Sequence, residues 1–260
     1  MIDLKDRVAI ITGGGYGIGK KIALAYARAG AKVMLAARTV EPMKETCAEI
    51  EKLGAKAACV CASVALEADC RKMVDETLKA FGRIDILVNN AGIAGPTKRI
   101  TEMSLAEWQE VIDIDLTGAW LASRAVIPTM DAQRSGNILM ISSGAGRRGY
   151  PLRAPYAAAK WAMIGLTQTL AREWGTRGIR VNCICPGAIE GDRIERVFRA
   201  RAEALKQPYE LVKSAFISES ALNRMATEEE VARVALFLVN DTSAAVSGQT
   251  INVDCGAIMN

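Results

Sequence analysis

Val8-Ala9-Ile10-Ile11-Thr12-Gly13-Gly14-Gly15-Tyr16-Gly17-Ile18-Gly19, followed by a helix-forming run from Lys20 to Ala29 and then Gly30, is the segment from which the architecture can be built. Four apolar residues running into glycines read as a short buried strand. The glycines let the chain turn sharply and let a ligand approach the backbone. The helix behind them presents unpaired N–H groups and a partial positive charge. Strand, glycine turn and helix in this order are what a phosphate-binding loop requires, whereas a glycine cluster alone is more simply a tight turn.

The same alternation continues along the chain. Strands are expected at 32–38, 57–62, 84–88, 138–141, 179–184 and 250–254. Helices are expected at 42–53, 69–81, 104–123 and 156–172, with charged helical sequence over 192–225. A last helix opens at Thr227, where Glu230 completes a capping box. No linker, repeat or low-complexity segment interrupts the pattern, which predicts one α/β domain over 1–260. Its architecture is a doubly wound Rossmann-type fold, with a seven-stranded parallel sheet covered by helices on both faces.

Composition narrows the chemistry. At 260 residues and 50% hydrophobic, the chain can bury a large core, and its net charge of +4 is spread without the basic block that marks nucleic-acid binding. The seven cysteines are odd in number and lack framework spacing, which predicts a reducing, cytoplasmic setting. The first residues lack an apolar signal core, and no run approaches the roughly 18 apolar residues of a membrane helix. Cys59-Val60-Cys61 and Cys183-Ile184-Cys185 lie in strand patterns without a Cys-x-x-Cys or histidine partner, so packing is expected of them and no metal site. Histidine is absent altogether. Histidine-based nucleophilic triads, zinc sites and general bases are thereby excluded.

The remaining proton-transfer chemistry points to Ser142-Ser143-Gly144, after the apolar run 138–141, and to Tyr156-Ala157-Ala158-Ala159-Lys160. Tyr156 and Lys160 are four apart in a helical run and share a face, as ordinary surface pairs also do. A phenol ionises near pH 10 in water, and an adjacent ammonium brings it toward neutrality. Ser143, at a strand end, is placed to hydrogen-bond an oxygen whose charge changes during reaction.

These three residues resemble the catalytic set of the short-chain dehydrogenase/reductase family. The glycine loop Thr-Gly-x-x-x-Gly-x-Gly and Asn89-Asn90-Ala91-Gly92 carry the same resemblance, which runs from Leu4 to Gly256. It implies an NAD(P)-dependent enzyme interconverting an alcohol and its ketone or aldehyde. Tyr156 would be the acid–base, Ser143 would hold the substrate oxygen, and Lys160 would lower the phenol pKa and hold the cofactor ribose. Cofactor contacts are implied at Thr12, Gly13, Gly15, Tyr16, Gly17, Ile18 and Gly19. Further contacts are implied at Arg38, Ser63, Val64, Asn90, Ala91, Gly92, Pro186, Gly187 and Ile189, besides Tyr156 and Lys160. The resemblance also implies a homotetramer and a substrate lid over 188–225. Whether the lid residues Ile194, Val197, Leu205, Leu211, Val212, Phe216 and Ile217 face a pocket or cap the core is open.

Four positions depart from the family pattern. Ala37 stands where an acidic residue would bind an NAD ribose, and Arg38 follows, so NADP(H) is expected in preference to NAD(H). Ser63 replaces the Asp that holds adenine, and Gly191 replaces a Thr near the nicotinamide. Asp115 replaces an Asn whose side chain holds a helix bend and a proton-relay water; an ionised Asp accepts hydrogen bonds but cannot donate them. Asp115 is therefore expected still to organise that water, to stabilise protonated Lys160 and to join the catalytic set. Arg147, Arg148 and Arg153, between Ser143 and Tyr156, suit an anionic substrate such as a carboxylate or sulfonate, though loop arginines are commonly just solvated. A nicotinamide-binding sensor without turnover is the alternative reading, and it would be expected to show a broken Ser-Tyr-Lys set.

Overall fold

A computed structural model describes residues 3–259. Its strands are β1 (Val8–Thr12), β2 (Lys32–Ala37), β3 (Ala57–Cys61), β4 (Ile86–Asn89), β5 (Gly136–Ile141), β6 (Ile179–Pro186) and β7 (Thr250–Val253). They form one sheet in the order β3-β2-β1-β4-β5-β6-β7, with every pairing parallel. The helices are α1 (Gly17–Arg28), α2 (Glu41–Lys52), α3 (Glu67–Phe81), α4 (Leu105–Ile112), α5 (Gly118–Gln133), α6 (Ala154–Trp174), α7 (Asp192–Leu205), α8 (Tyr209–Ser218) and α9 (Glu228–Val239).

The sheet has a core on each side because successive strand residues point to opposite faces. Ile11, Val33 and Leu35 pack into the layer with α1 and α9 residues such as Ile22, Tyr26 and Leu238. Ile10, Met34 and Ala36 pack into the opposite layer with Val126, Met130 and Met163 from α5 and α6. Tyr26 is fully buried and donates its hydroxyl to Ala235 O at 3.1 Å, so α1 and α9 are joined by a polar bond inside an apolar layer. Strand order reverses between β1 and β4, and this opens a crevice above their C-terminal ends.

Three features depart from the sequence expectation by more than a shift of a residue or two at an element's end. Helix α1 begins at Gly17 and not at Lys20: Gly13 and Gly17 adopt φ of +68° and +61°, and so tight a turn puts Gly17 and Gly19 into the first helical turn. The helix expected over 104–123 is interrupted by a π-helical turn at Asp113–Thr117, and its second half continues through Pro128 to Gln133. At the outer edge of the sheet β3 is half-exposed, so the packing role expected of Cys61 fails. Its thiol lies at the surface, 3.4 Å from Arg38 O.

Asp85, just before β4, holds the opposite end of the sheet from the crevice. Its buried carboxylate accepts from Val8 N at 2.9 Å and from Arg83 Nε and Nη2 at 2.8 and 2.7 Å. Asp85→Ala should lower unfolding stability by about 2–4 kcal/mol, because a buried N–H and a guanidinium lose their acceptor. Asp85→Asn, which keeps an acceptor for Val8, should lose less; urea denaturation of both variants checks the order.

Candidate active site

The crevice is a cleft of about 930 Å³ floored by the β1–α1 loop and walled by the ends of β4, β5 and β6. Helices α7 and α8 cross its open side, contributing Ile194, Val197 and Phe216 to the lining. Of the lid residues, those three face the cleft, Val212 packs with Phe198 and Ala202 in a small separate core, Leu205 and Leu211 are exposed, and Ile217 is partly buried off the cleft lining.

The glycine loop fits an anionic phosphate group. Tyr16, at the helix cap, supplies no side-chain cap, and the first turn of α1 carries no acidic residue, so its N–H groups are open to a ligand. A Cβ on Gly19 would come within 2.4 Å of Gly13 O and 2.5 Å of Asn90 Nδ2. Only glycine permits that approach. Gly13, Gly15, Tyr16, Gly17, Ile18 and Gly19 all line the cleft.

Thr12 does not. It is buried behind the loop, where its hydroxyl donates to Val88 O at 3.2 Å and accepts from Asn90 N and Ala91 N, both at 3.0 Å. The expected cofactor contact is thus corrected to a structural one: Thr12 ties β1 to the turn after β4. The Asn90 amide completes the tie by donating to Thr12 O at 2.9 Å and Gly13 O at 3.2 Å.

Ala37 and Arg38 line the cleft at the end of β2, and the Arg38 side chain is exposed with no carboxylate within salt-bridge distance among the described residues. Ser63, Val64, Ala91, Gly92, Pro186, Gly187 and Ile189 line it as well. Ser63 is not alone in its corner, since its N–H donates to Asp69 Oδ2 at 2.7 Å.

Ser143, Tyr156 and Lys160 converge on one wall. Ser143 caps the short turn Gly144–Gly146, accepting from Ala145 N at 3.2 Å, and its hydroxyl favours the ionised form of the Tyr156 phenol. Lys160 is buried; its Nζ lies 5.6 Å from the Tyr156 ring centroid and donates to Ile141 O at 3.1 Å. Behind it, Asp115 Oδ2 is 3.3 Å from Nζ, while Oδ1 accepts from Ile93 N at 2.7 Å. Asp115 is fully buried and does not line the cleft; it meets the cleft only through Lys160, and it holds the strand-four loop. The π-helical turn is what turns Asp115 inward.

Burial alone would push the Tyr156 phenol up, but the positive charges of Arg193 and Lys160 and the Ser143 hydrogen bond outweigh it, while Asp115 opposes them. The net result is a phenol below its ordinary value. Arg193, in the first turn of α7, is the residue that sequence reasoning missed. It donates to Gly92 O at 3.3 Å across the cleft, and nothing in a charged lid sequence distinguishes it from its neighbours Arg196 and Arg199. Of the three loop arginines, Arg148 and Arg153 line the cleft and Arg147 does not. Arg148 is ion-paired with Glu219 of the lid.

A family model described as short chain dehydrogenase matches residues 7–202. A 3-oxoacyl-[acyl-carrier-protein] reductase of Synechocystis sp. is 42% identical over 261 residues, covering 100% of both chains. An uncharacterized oxidoreductase of Thermotoga maritima is 38% identical over 256 residues, covering 98% of this chain and 99% of that one. Among solved structures, NAD+-bound xylitol dehydrogenase superposes with a TM-score of 0.95 at 30% identity, covering 97% of this chain and 99% of that one. Levodione reductase superposes with a TM-score of 0.92 at 33% identity, over 97% of each chain.

The charge arrangement predicts opposite shifts in the pH–rate profile of proton transfer through Tyr156. Arg193→Gln removes the leading charge that favours phenolate, so the ionisation limb should move to higher pH. Asp115→Asn removes the charge that opposes it, so the limb should move to lower pH; an unchanged profile would reduce Asp115 to a purely structural residue.

Proposed function

Because the chain belongs to the short-chain dehydrogenase/reductase family, we propose that it interconverts the alcohol and carbonyl forms of a small-molecule substrate by hydride exchange with a nicotinamide cofactor. NADP(H) is used in preference to NAD(H). The observation that carries this reading is the convergence of Ser143, Tyr156 and Lys160 on one wall of a cleft whose floor is the glycine loop. The sensor alternative loses its expected signature, since the Ser-Tyr-Lys set is intact.

In the oxidative direction the Tyr156 phenolate accepts the hydroxyl proton, and in the reductive direction the phenol returns it. Ser143 donates a hydrogen bond to the same oxygen and fixes its distance from the phenol. The buried ammonium of Lys160 favours the phenolate, and Asp115, 3.3 Å from Nζ, holds that ammonium in place. When bound, the nicotinamide supplies or accepts the hydride at the carbinol carbon. The N–H groups of the α1 first turn would hold its pyrophosphate, and the lid helices α7 and α8 would exclude water from the substrate end.

The cofactor preference is supported by the end of β2. Ala37 presents no carboxylate to a ribose, and the exposed Arg38, which has no ion-pair partner among the described residues, suits an additional phosphate. The xylitol dehydrogenase neighbour is described with NAD+, so the preference is a property of these two residues and not of the fold. Reduction of a 3-oxoacyl chain, the activity named for the Synechocystis relative, is one case of the proposed chemistry. The edge strand β7, whose Ile251 and Val253 remain half-exposed, supports a homo-oligomer assembled on that edge.

Tyr156→Phe should lower kcat by roughly 10²- to 10⁴-fold with the cofactor dissociation constant little changed. The measurement is nicotinamide absorbance against a panel of ketones, aldehydes and alcohols; near-wild-type turnover in the variant would refute the proton-transfer role. Ala37→Asp combined with Arg38→Ala should reverse the cofactor preference, lowering kcat/KM for NADPH about 10- to 100-fold relative to NADH.

A further inference from the structure

Arg153 is in an unusual position for an arginine. It is 4% exposed, yet among the described residues its guanidinium meets no carboxylate, and its Nε has no hydrogen-bond acceptor. A buried cation without a counter-charge or acceptor is costly, and buried arginines are ordinarily paired. What holds this one is aromatic. Its guanidinium carbon lies 4.9 Å from the Tyr156 ring centroid and 5.9 Å from that of Tyr150. Tyr150 is fixed in turn by Arg201 at 5.8 Å and by an edge contact with Phe216 of the lid at 6.3 Å.

Arg153 also lines the catalytic cleft beside the reactive phenol. A second cation stands across that space. Arg193 likewise has no carboxylate within salt-bridge distance among the described residues, and its charge and that of Arg153 disfavour each other. Asp115, whose charge reaches Arg153, is already engaged by Lys160. The cleft thus keeps two guanidinium groups unneutralised next to Tyr156. An anion placed between them would satisfy both and remove their mutual repulsion.

We infer that Arg153, with Arg193 opposite it, binds an acidic group of the substrate close to the reacting carbon, so that the substrate is a small 2- or 3-oxo acid or the matching hydroxy acid. The guanidinium is planar and held between aromatic rings, which pre-sets its fork for two parallel bonds to a carboxylate. A carboxylate held there fixes the carbonyl against Tyr156 and Ser143, so the contact selects the substrate and orients it. This assignment rests on the proposed alcohol–carbonyl chemistry of the same cleft.

The test compares 2-oxobutanoate and 3-oxobutanoate, each against its methyl ester and, for the 3-oxo compound, its N-acetylcysteamine thioester. In the wild-type protein kcat/KM for at least one acid should exceed that of its neutral partners by roughly 10²-fold or more. In Arg153→Gln that ratio should fall toward unity, while Arg153→Lys, which keeps the charge, should retain part of it. Esters or the thioester reduced as well as the acids by the wild-type protein, or a ratio that survives Arg153→Gln, would overturn the anion site and leave the oxidoreductase reading standing.

If the wild-type protein turns over none of these compounds, titration calorimetry of 3-hydroxybutanoate and its methyl ester decides the matter. Binding of the acid alone, lost in Arg153→Gln, would uphold the anion site. Equal or absent binding of the two would overturn it.

Discussion

The structure depends on a buried ammonium. Lys160 is almost wholly removed from solvent, and burying a charge there is tolerated because Asp115 lies 3.3 Å from Nζ and Ile141 O accepts from it at 3.1 Å. Much of the local backbone serves that arrangement. The π-helical turn rotates Asp115 inward, Gly92 leaves room for its carboxylate, and Ser142 donates to the Lys160 carbonyl at 2.7 Å. The charge so held faces the Tyr156 ring. Together with Arg193, whose charge contributes more, it makes more acidic a phenol that burial alone would make less acidic.

Much of this was legible in the sequence, and for local reasons. The strand–glycine–helix segment and the alternation that follows encode the parallel sheet through residue spacing alone, and Tyr156 and Lys160 share a helix face by the same logic. Less was legible where a contact joins distant parts of the chain. Thr12 looks like part of a ligand loop, and only the pairing of β1 with β4 shows its hydroxyl turned toward Val88 and Asn90. Asp69 is an ordinary first-turn acid until the fold brings it to the Ser63 N–H. Arg193 is one arginine among several in α7, and its bearing on the phenol arises from the way the lid helix crosses the cleft.

The arginines also show why a loop composition cannot be read as a charge field. Arg147, Arg148 and Arg153 are close in sequence, yet Arg148 is neutralised by Glu219 and Arg147 lies off the cleft lining, which leaves Arg153. Its charge is held against aromatic rings where a salt bridge would be expected. Buried groups left incompletely satisfied are destabilising, and they persist where function uses them. The same reasoning separates the two ends of the cleft: one end is built from backbone N–H groups and glycines, the other from side-chain cations and lid aromatics.

The most direct test of the central electrostatic claim is titration of Tyr156 itself, by the chemical shift of a ring-labelled tyrosine, in the wild-type protein and in Lys160→Met. Tyr156 should ionise below the ordinary tyrosine value of about 10 in the wild type and at higher pH once the ammonium is gone. An ordinary value in the wild-type protein, or the same value in both proteins, would contradict the account.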